Sequence, residues 1–167
     1  LQRECPEKKR IAVLLPPGRG AVIANLGVLL AGKVPVNLNF TAGAAAQKAA
    51  IRIGDLQHVL TAGAVLKRVE GLPLPETVLK LEEILPRLKR KIILWRLAVA
   101  VLPWWVLTRL LGLQDRGDRE EAVVLFTSGS AGEPKGVVLS HRNLLGNVTQ
   151  FGQMLNLKRK DAILASL

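Results

Sequence analysis

Between two apolar runs, residues 122–126 and 137–139, stands the sequence Thr127-Ser128-Gly129-Ser130-Ala131-Gly132-Glu133-Pro134-Lys135-Gly136. It combines three glycines, several hydroxyl side chains and one lysine. Glycine lets the backbone reach positive φ and approach a ligand closely. Successive N–H groups can then converge on an anion, with the lysine as a point charge and the hydroxyls as further donors. A buried strand that runs into such a loop, and out into a second strand, is built to cradle a polyphosphate. The bland alternative is a glycine-rich hairpin without a ligand.

The loop is not a Walker A sequence, which requires glycine, four residues, then Gly-Lys-Ser/Thr. Here Pro134 precedes Lys135, and Gly136 stands where the magnesium-binding hydroxyl belongs. The stretch resembles the phosphate loop of the AMP-forming adenylating enzymes: acyl-CoA synthetases, luciferases and the adenylation domains of peptide synthetases. Thr127, Ser128, Gly129, Ser130, Gly132, Pro134, Lys135 and Gly136 carry the resemblance. It implies that Thr127, Ser128, Ser130 and Lys135 hold the phosphates of ATP, while Gly129, Gly132 and Gly136 permit close backbone approach. Pro134 then shapes the loop, and Glu133 faces solvent and is no metal ligand. Ala131 replaces a threonine or serine of the usual pattern, and one lost neutral hydrogen bond costs about 0.5–1.5 kcal/mol. A non-hydroxylic residue here is similar to the branch that activates fatty acids for acyl-carrier protein, often fused to a lysophospholipid acyltransferase.

The elements that must position this loop read as alternating strands and helices. Strands are expected at 11–15, 34–39 and 56–61, with a possible fourth at 78–81. Pro35 suggests an edge strand or an early strand position. Residues 21–30, apolar almost all round, predict a well-buried helix ending near Gly32. Residues 43–53 are Ala-rich and helical, with Gly54 as the stop. Strands separated by helices of about ten residues imply βαβ units and an α/β fold with a mostly parallel sheet flanked by helices. This half also resembles the adenylating family, through residues 11–16 and the phrase Ala31-Gly32-Lys33-Val34-Pro35-Val36-Asn37-Leu38-Asn39. The implied architecture is part of the large N-terminal domain of an AMP-forming ligase. Asn37 and Asn39 suit capping or turn roles better than a ligand site. Beyond the loop, Ser140 is a natural N-cap for a helix over residues 144–155. His141 suits first-turn packing or capping better than substrate contact, and residues 158–161 read as a solvated turn.

Residues 87–113 differ in character and read as a basic, Trp-containing apolar insertion. Arg87, Lys89, Arg90 and Lys91 precede an apolar run that holds Trp95, Trp104 and Trp105. Its length approaches the roughly 20 residues that span a bilayer. Arg96 and Arg109 interrupt it, and Pro103 divides it into two short helices. A central arginine costs about 2.5–3.5 kcal/mol on insertion. Three readings stand: a broken amphipathic pair at the membrane interface, a buried core insertion, and a transmembrane span.

The bulk properties bound the rest. The chain has 167 residues, 49% apolar and 22% charged, enough for one domain with a core. Cys5 is the single cysteine and the histidines are two, so neither a disulfide nor a metal cluster is expected. Twenty-four Lys and Arg against 13 Asp and Glu give a net charge of +11, which favours anionic partners. Nucleic acid is excluded as a partner: three Trp and three Phe show no interleaving with basic residues, and no nucleic-acid motif is present. Residues 1–10 are polar and charged, without the layout of a signal peptide. The chain starts at Leu1, and residues 162–167 read as the start of a strand, so both ends read as cut.

The resemblance therefore implies residues 1–167 as part of an adenylating domain. ATP and Mg²⁺ are its cofactors, and a fatty acid and then acyl-carrier protein or coenzyme A its partners. An anionic membrane surface on the cytoplasmic side is a further expected partner, with phospholipid acylation as the outcome. The magnesium ligand and the catalytic lysine of the family belong to sequence downstream of Leu167. A membrane-associated binding module with a relic phosphate loop is the alternative, and Ala131 speaks for it.

Overall fold

The structure, a computed structural model, describes residues 9–39, 41–113, 117–127, 133–156 and 158. Six strands form one sheet: β1 (Arg10–Leu14), β2 (Val34–Asn37), β3 (His58–Thr61), β4 (Thr77–Lys80), β5 (Glu121–Thr127) and β6 (Lys135–Ser140). The spatial order is β4-β3-β1-β2-β5-β6, with only the β5–β6 pair antiparallel. Ile11, Ala12, Val13, Val34, Val36 and Val59 are almost wholly buried, as expected of parallel strands covered on both faces. The mostly parallel α/β fold expected from the sequence is present.

Helices α1 (Arg19–Leu30), α2 (Ala44–Gly54) and α3 (Gly63–Arg68) connect the first strands. Ala24 and Val28 of α1 pack with Ile11, Val13 and Leu60 on one face of the sheet. Ala50 of α2 and Val65 of α3 pack with Leu14, Val36, Val59 and Val124 on the other. β2 is an interior strand, so the edge option for Pro35 fails and the early-position option holds. Val34 donates to the Lys9 carbonyl, which turns the missing N–H of Pro35 toward β5, where pairing begins only at Val36↔Val124.

Three expectations need correction. Helix α1 is not buried all round: Val22, Ile23, Leu26 and Leu30 are exposed, because only one side of the helix meets the sheet. Helix α2 ends at Gly54 as expected, but the stop is not made by a left-handed glycine: Gly54 is the last, buried residue of the helix, and Asp55 takes the left-handed conformation at φ 49°. Glycine is required at 54 for space, since a Cβ would stand 2.9 Å from Cγ of Leu56. The apolar segment does not form two short helices: α4 (Leu81–Val101) has 21 residues and starts directly after β4, with Pro86 near its beginning. Pro103 does make a break, as the N-cap of α5 (Trp104–Leu110). The last helix, α6 (His141–Met154), starts at the expected cap. Strand β2 stops at Asn37 because Asn39 folds into a turn, its Oδ1 accepting from Thr41 N at 2.9 Å.

Candidate phosphate-binding site

Strand β5 leaves the sheet at Thr127, and β6 returns at Lys135, directly opposite in the ladder. Thr127 and Lys135 are therefore held side by side, both exposed, at the two feet of one hairpin. Antiparallel pairing from Glu121↔Ser140 to Thr127↔Lys135 fixes their spacing. Ser128, Gly129, Ser130, Ala131 and Gly132, the heart of the predicted loop, lie outside the described residues. β5 runs parallel to β2, so both feet stand at the carboxyl ends of the parallel strands. The connection from β2 leaves toward β3 and that from β5 toward β6, in opposite directions. Such a reversal opens a crevice outside the strand ends, where open α/β sheets bind ligands.

Helix α2 supports the hairpin from below. Arg52 Nη2 lies 3.4 Å from Glu133 Oε1, an exposed pair that contributes little stability but occupies the carboxylate. Glu133 is thus solvent-facing and paired with Arg52. A Cβ on Gly136 would stand 3.3 Å from Cε1 of Phe126 and 3.7 Å from Cγ2 of Ile53. Gly136 is paired with Phe126 inside the ladder, so packing under the loop is one reason for a glycine there. Arg52, Ile53 and Phe126 were not legible as site residues. Arg52 and Glu133 are 81 residues apart in sequence, and no local pattern joins them.

Other candidates fall away from the hairpin feet. Asn37 exchanges side-chain hydrogen bonds with Asn25 of α1, at 2.9 and 3.0 Å, and Asn39 caps its own turn. Both are structural, as expected. His141 follows Ser140 at the opposite end of the β5–β6 ladder, and its backbone N–H donates to Glu120 O. It cannot share a small ligand with Lys135. Among the described residues, no cluster of His, Cys, Asp and Glu could hold a metal ion. A groove of about 690 Å³ lined by Leu88, Ile92, Trp95 and Val99 lies on α4 rather than beside the loop. Residues 159–167, with the expected terminal strand, lie outside the described residues.

A family profile described as "AMP-binding enzyme" matches residues 1–167. Among curated proteins, the chain is 32% identical over 149 residues to cyclosporin synthetase of Tolypocladium inflatum, covering 89% of this chain and 1% of that protein. It is 30% identical over 154 residues to a peptide synthetase of Aspergillus terreus, covering 89% of this chain and 5% of that protein. Among solved structures, VinN aligns with a TM-score of 0.70 at 20% identity, over 96% of this chain and 40% of that one. A fatty acyl-adenylate ligase from L. pneumophila, in complex with acyl adenylate and pyrophosphate, aligns with a TM-score of 0.63 at 22% identity, over 94% and 25%. The chain thus spans less than half the length of these relatives.

Proposed function

The chain belongs to the AMP-binding enzyme family, and from that premise we propose that it forms part of an AMP-forming ligase that activates a long-chain fatty acid. The observation that carries this reading is the hairpin ending in Thr127 and Lys135, which bears the adenylating-enzyme phosphate-loop sequence at the carboxyl edge of the sheet. In the first step a fatty-acid carboxylate oxygen attacks the α-phosphorus of ATP. The bond to the bridging oxygen breaks, and pyrophosphate departs with the electron pair. A thiol then attacks the acyl carbon, releasing AMP and leaving a thioester.

The first step is hindered by repulsion between the anionic nucleophile and the phosphates. Fixed donors offset that repulsion without reorganising as charge shifts. Lys135 supplies a positive charge, Thr127, Ser128 and Ser130 supply hydroxyl donors, and Gly129 and Gly132 allow backbone N–H groups to approach. Gly136, on the second rung of β6, would likewise allow close backbone approach to the phosphates. Magnesium would neutralise charge on the pyrophosphate. The resemblance places its ligand outside these residues, and no step here is assigned to the metal.

The fatty-acid reading rests on Ala131 and on residues 31–39, which resemble the acyl-carrier-protein branch, with acyl-carrier protein or coenzyme A as the thiol. In that branch a fused acyltransferase would pass the chain to phospholipid. Residues 1–167 then form part of the adenylating domain and 87–113 an insertion. That insertion would hold the enzyme at the cytoplasmic face of an anionic membrane. A second reading, activation of an amino acid, is favoured by the 32% identity to a peptide synthetase.

ATP–pyrophosphate exchange on the whole protein separates them. Exchange that needs a long-chain fatty acid supports the first reading, and exchange that needs an amino acid supports the second. Absence of exchange with any carboxylate, in a folded protein, leaves the loop a relic on a membrane-binding module.

A further inference from the structure

We infer that the arm formed by α4 and α5 enters one leaflet of an anionic bilayer end-on, with residues 92–105 among the acyl chains and Arg87, Lys89, Arg90 and Lys91 as a collar in the headgroups. This deepens the membrane part of the proposed function and rests on it, while being independent of the ligase chemistry.

Among the described residues, the arm packs against the core cluster at its base. Leu81 and Ile84 pack against the core cluster of Ile11, Val13 and Leu60, whereas neither α4 nor α5 has a buried residue. Beyond the base, Leu94 is 65% exposed, Val101 80% and Trp104 76%. An apolar surface this large signals a partner. The distribution of charge along the helix identifies which one.

On α4 the polar and apolar residues are segregated along the axis, not across it. All four collar residues are exposed and fall within residues 87–91. From Ile92 to Val101 every residue but Arg96 is apolar. At about 100° per residue, exposed Ile93, Leu94 and Val99 stand about 100°, 200° and 340° round from Ile92, so apolar residues occur around the whole circumference. A helix lying flat at the interface needs its apolar residues on one side; one that is apolar all round is covered by a protein core or by lipid, and the basic collar at its base favours lipid with anionic headgroups. A ring of apolar residues is satisfied by acyl chains that surround it.

The length agrees. Residues 92–101 rise about 15 Å, half of a hydrocarbon core about 30 Å thick. No helix among the described residues is long and apolar enough to cross a membrane. Pro103 turns the chain at that depth. Arg96, the one charge within the segment, lies about 7 Å above Lys91 along the axis. Helical side chains tilt toward the N-terminus, so its guanidinium extends back toward the collar and the phosphates. Anionic headgroups complement the collar, each basic residue adding to the attraction.

The test uses the whole protein with vesicles of phosphatidylcholine alone or mixed with phosphatidylglycerol. Co-sedimentation with the anionic vesicles only, reversed by high salt, is expected. Lys89→Glu with Lys91→Glu should weaken it by about tenfold or more while leaving pyrophosphate exchange unchanged. Lipids brominated at shallow or deep positions report depth through tryptophan fluorescence. In Trp95→Phe, deep labels should quench Trp104 and Trp105 more than shallow ones. With Trp104 and Trp105 replaced by Phe, the remaining Trp95 should report a shallower site. Three outcomes overturn the inference: no binding to any vesicle, equal binding to neutral vesicles, or equally shallow quenching at both positions. Exchange measured on the same samples separates the two claims, since lost binding with intact exchange removes the arm's role alone.

Discussion

Lys135 is the residue on which the proposed chemistry turns. It is exposed at the first position of β6 and supports no packing. Lys135→Ala should therefore leave the melting temperature unchanged and lower the exchange rate by about tenfold or more, as removal of a fixed donor to developing charge does. An unchanged rate would make the loop purely structural. The motif was readable because hydroxyl, glycine and lysine spacing is local chemistry. What could not be read is why Gly136 is glycine. A methyl group there would crowd the ring of Phe126 and touch the side chain of Ile53, and only folding brings Ile53 beneath the hairpin. Likewise α2 does end at Gly54, as its place in the pattern suggests, but Leu56 packs against that glycine and Asp55 makes the left-handed turn.

At the level of elements, the strand–loop–strand unit is locked at both ends. Its far end is Ser140, whose Oγ accepts from Asn143 N at 3.2 Å while Asn143 Oδ1 accepts from Ser140 N at 3.0 Å. Reciprocal capping satisfies two otherwise orphaned donors. Ser140→Ala should cost about 1 kcal/mol and lower the melting temperature by about 2–4 °C, measured by calorimetry. Exchange should persist, because the cap stands at the opposite end of the ladder from Lys135. The N-cap was legible from sequence, whereas the fate of α1 was not. Its residues are apolar on every side, yet Ile23 is 67% exposed. Periodicity reports how apolar a helix is, not how many neighbours the fold supplies to cover it.

For the whole molecule, the sheet and the arm are separable in energetic terms. The core consists of β1 to β5 with α1 to α3 and the first turn of α4. Replacing residues 87–113 with a short flexible linker should thus keep the cooperative unfolding transition and exchange activity, and abolish vesicle binding. Circular dichroism, exchange and co-sedimentation on one preparation check all three. Loss of the folded sheet would show instead that the arm is integral to the core. Apolar surface also remains open on α6, at Leu145, Val148 and Met154, and on β6 at Val138. The VinN structure, similar in fold, continues well beyond the portion this chain matches.

Sequence by itself determined the phosphate-loop motif, the alternation of strands and helices, the N-cap at Ser140, and the basic collar ahead of an apolar run. Each of these depends on residues within a few positions of one another, so covalent spacing encodes it. Only the tertiary structure decided that β2 is interior, that Glu133 meets Arg52, that Ile53 underlies Gly136 and that α4 leaves the body after one turn. Those facts join residues far apart in the chain, and they are set by which strand lies beside which. Strand order comes from the competition of all apolar faces for one core.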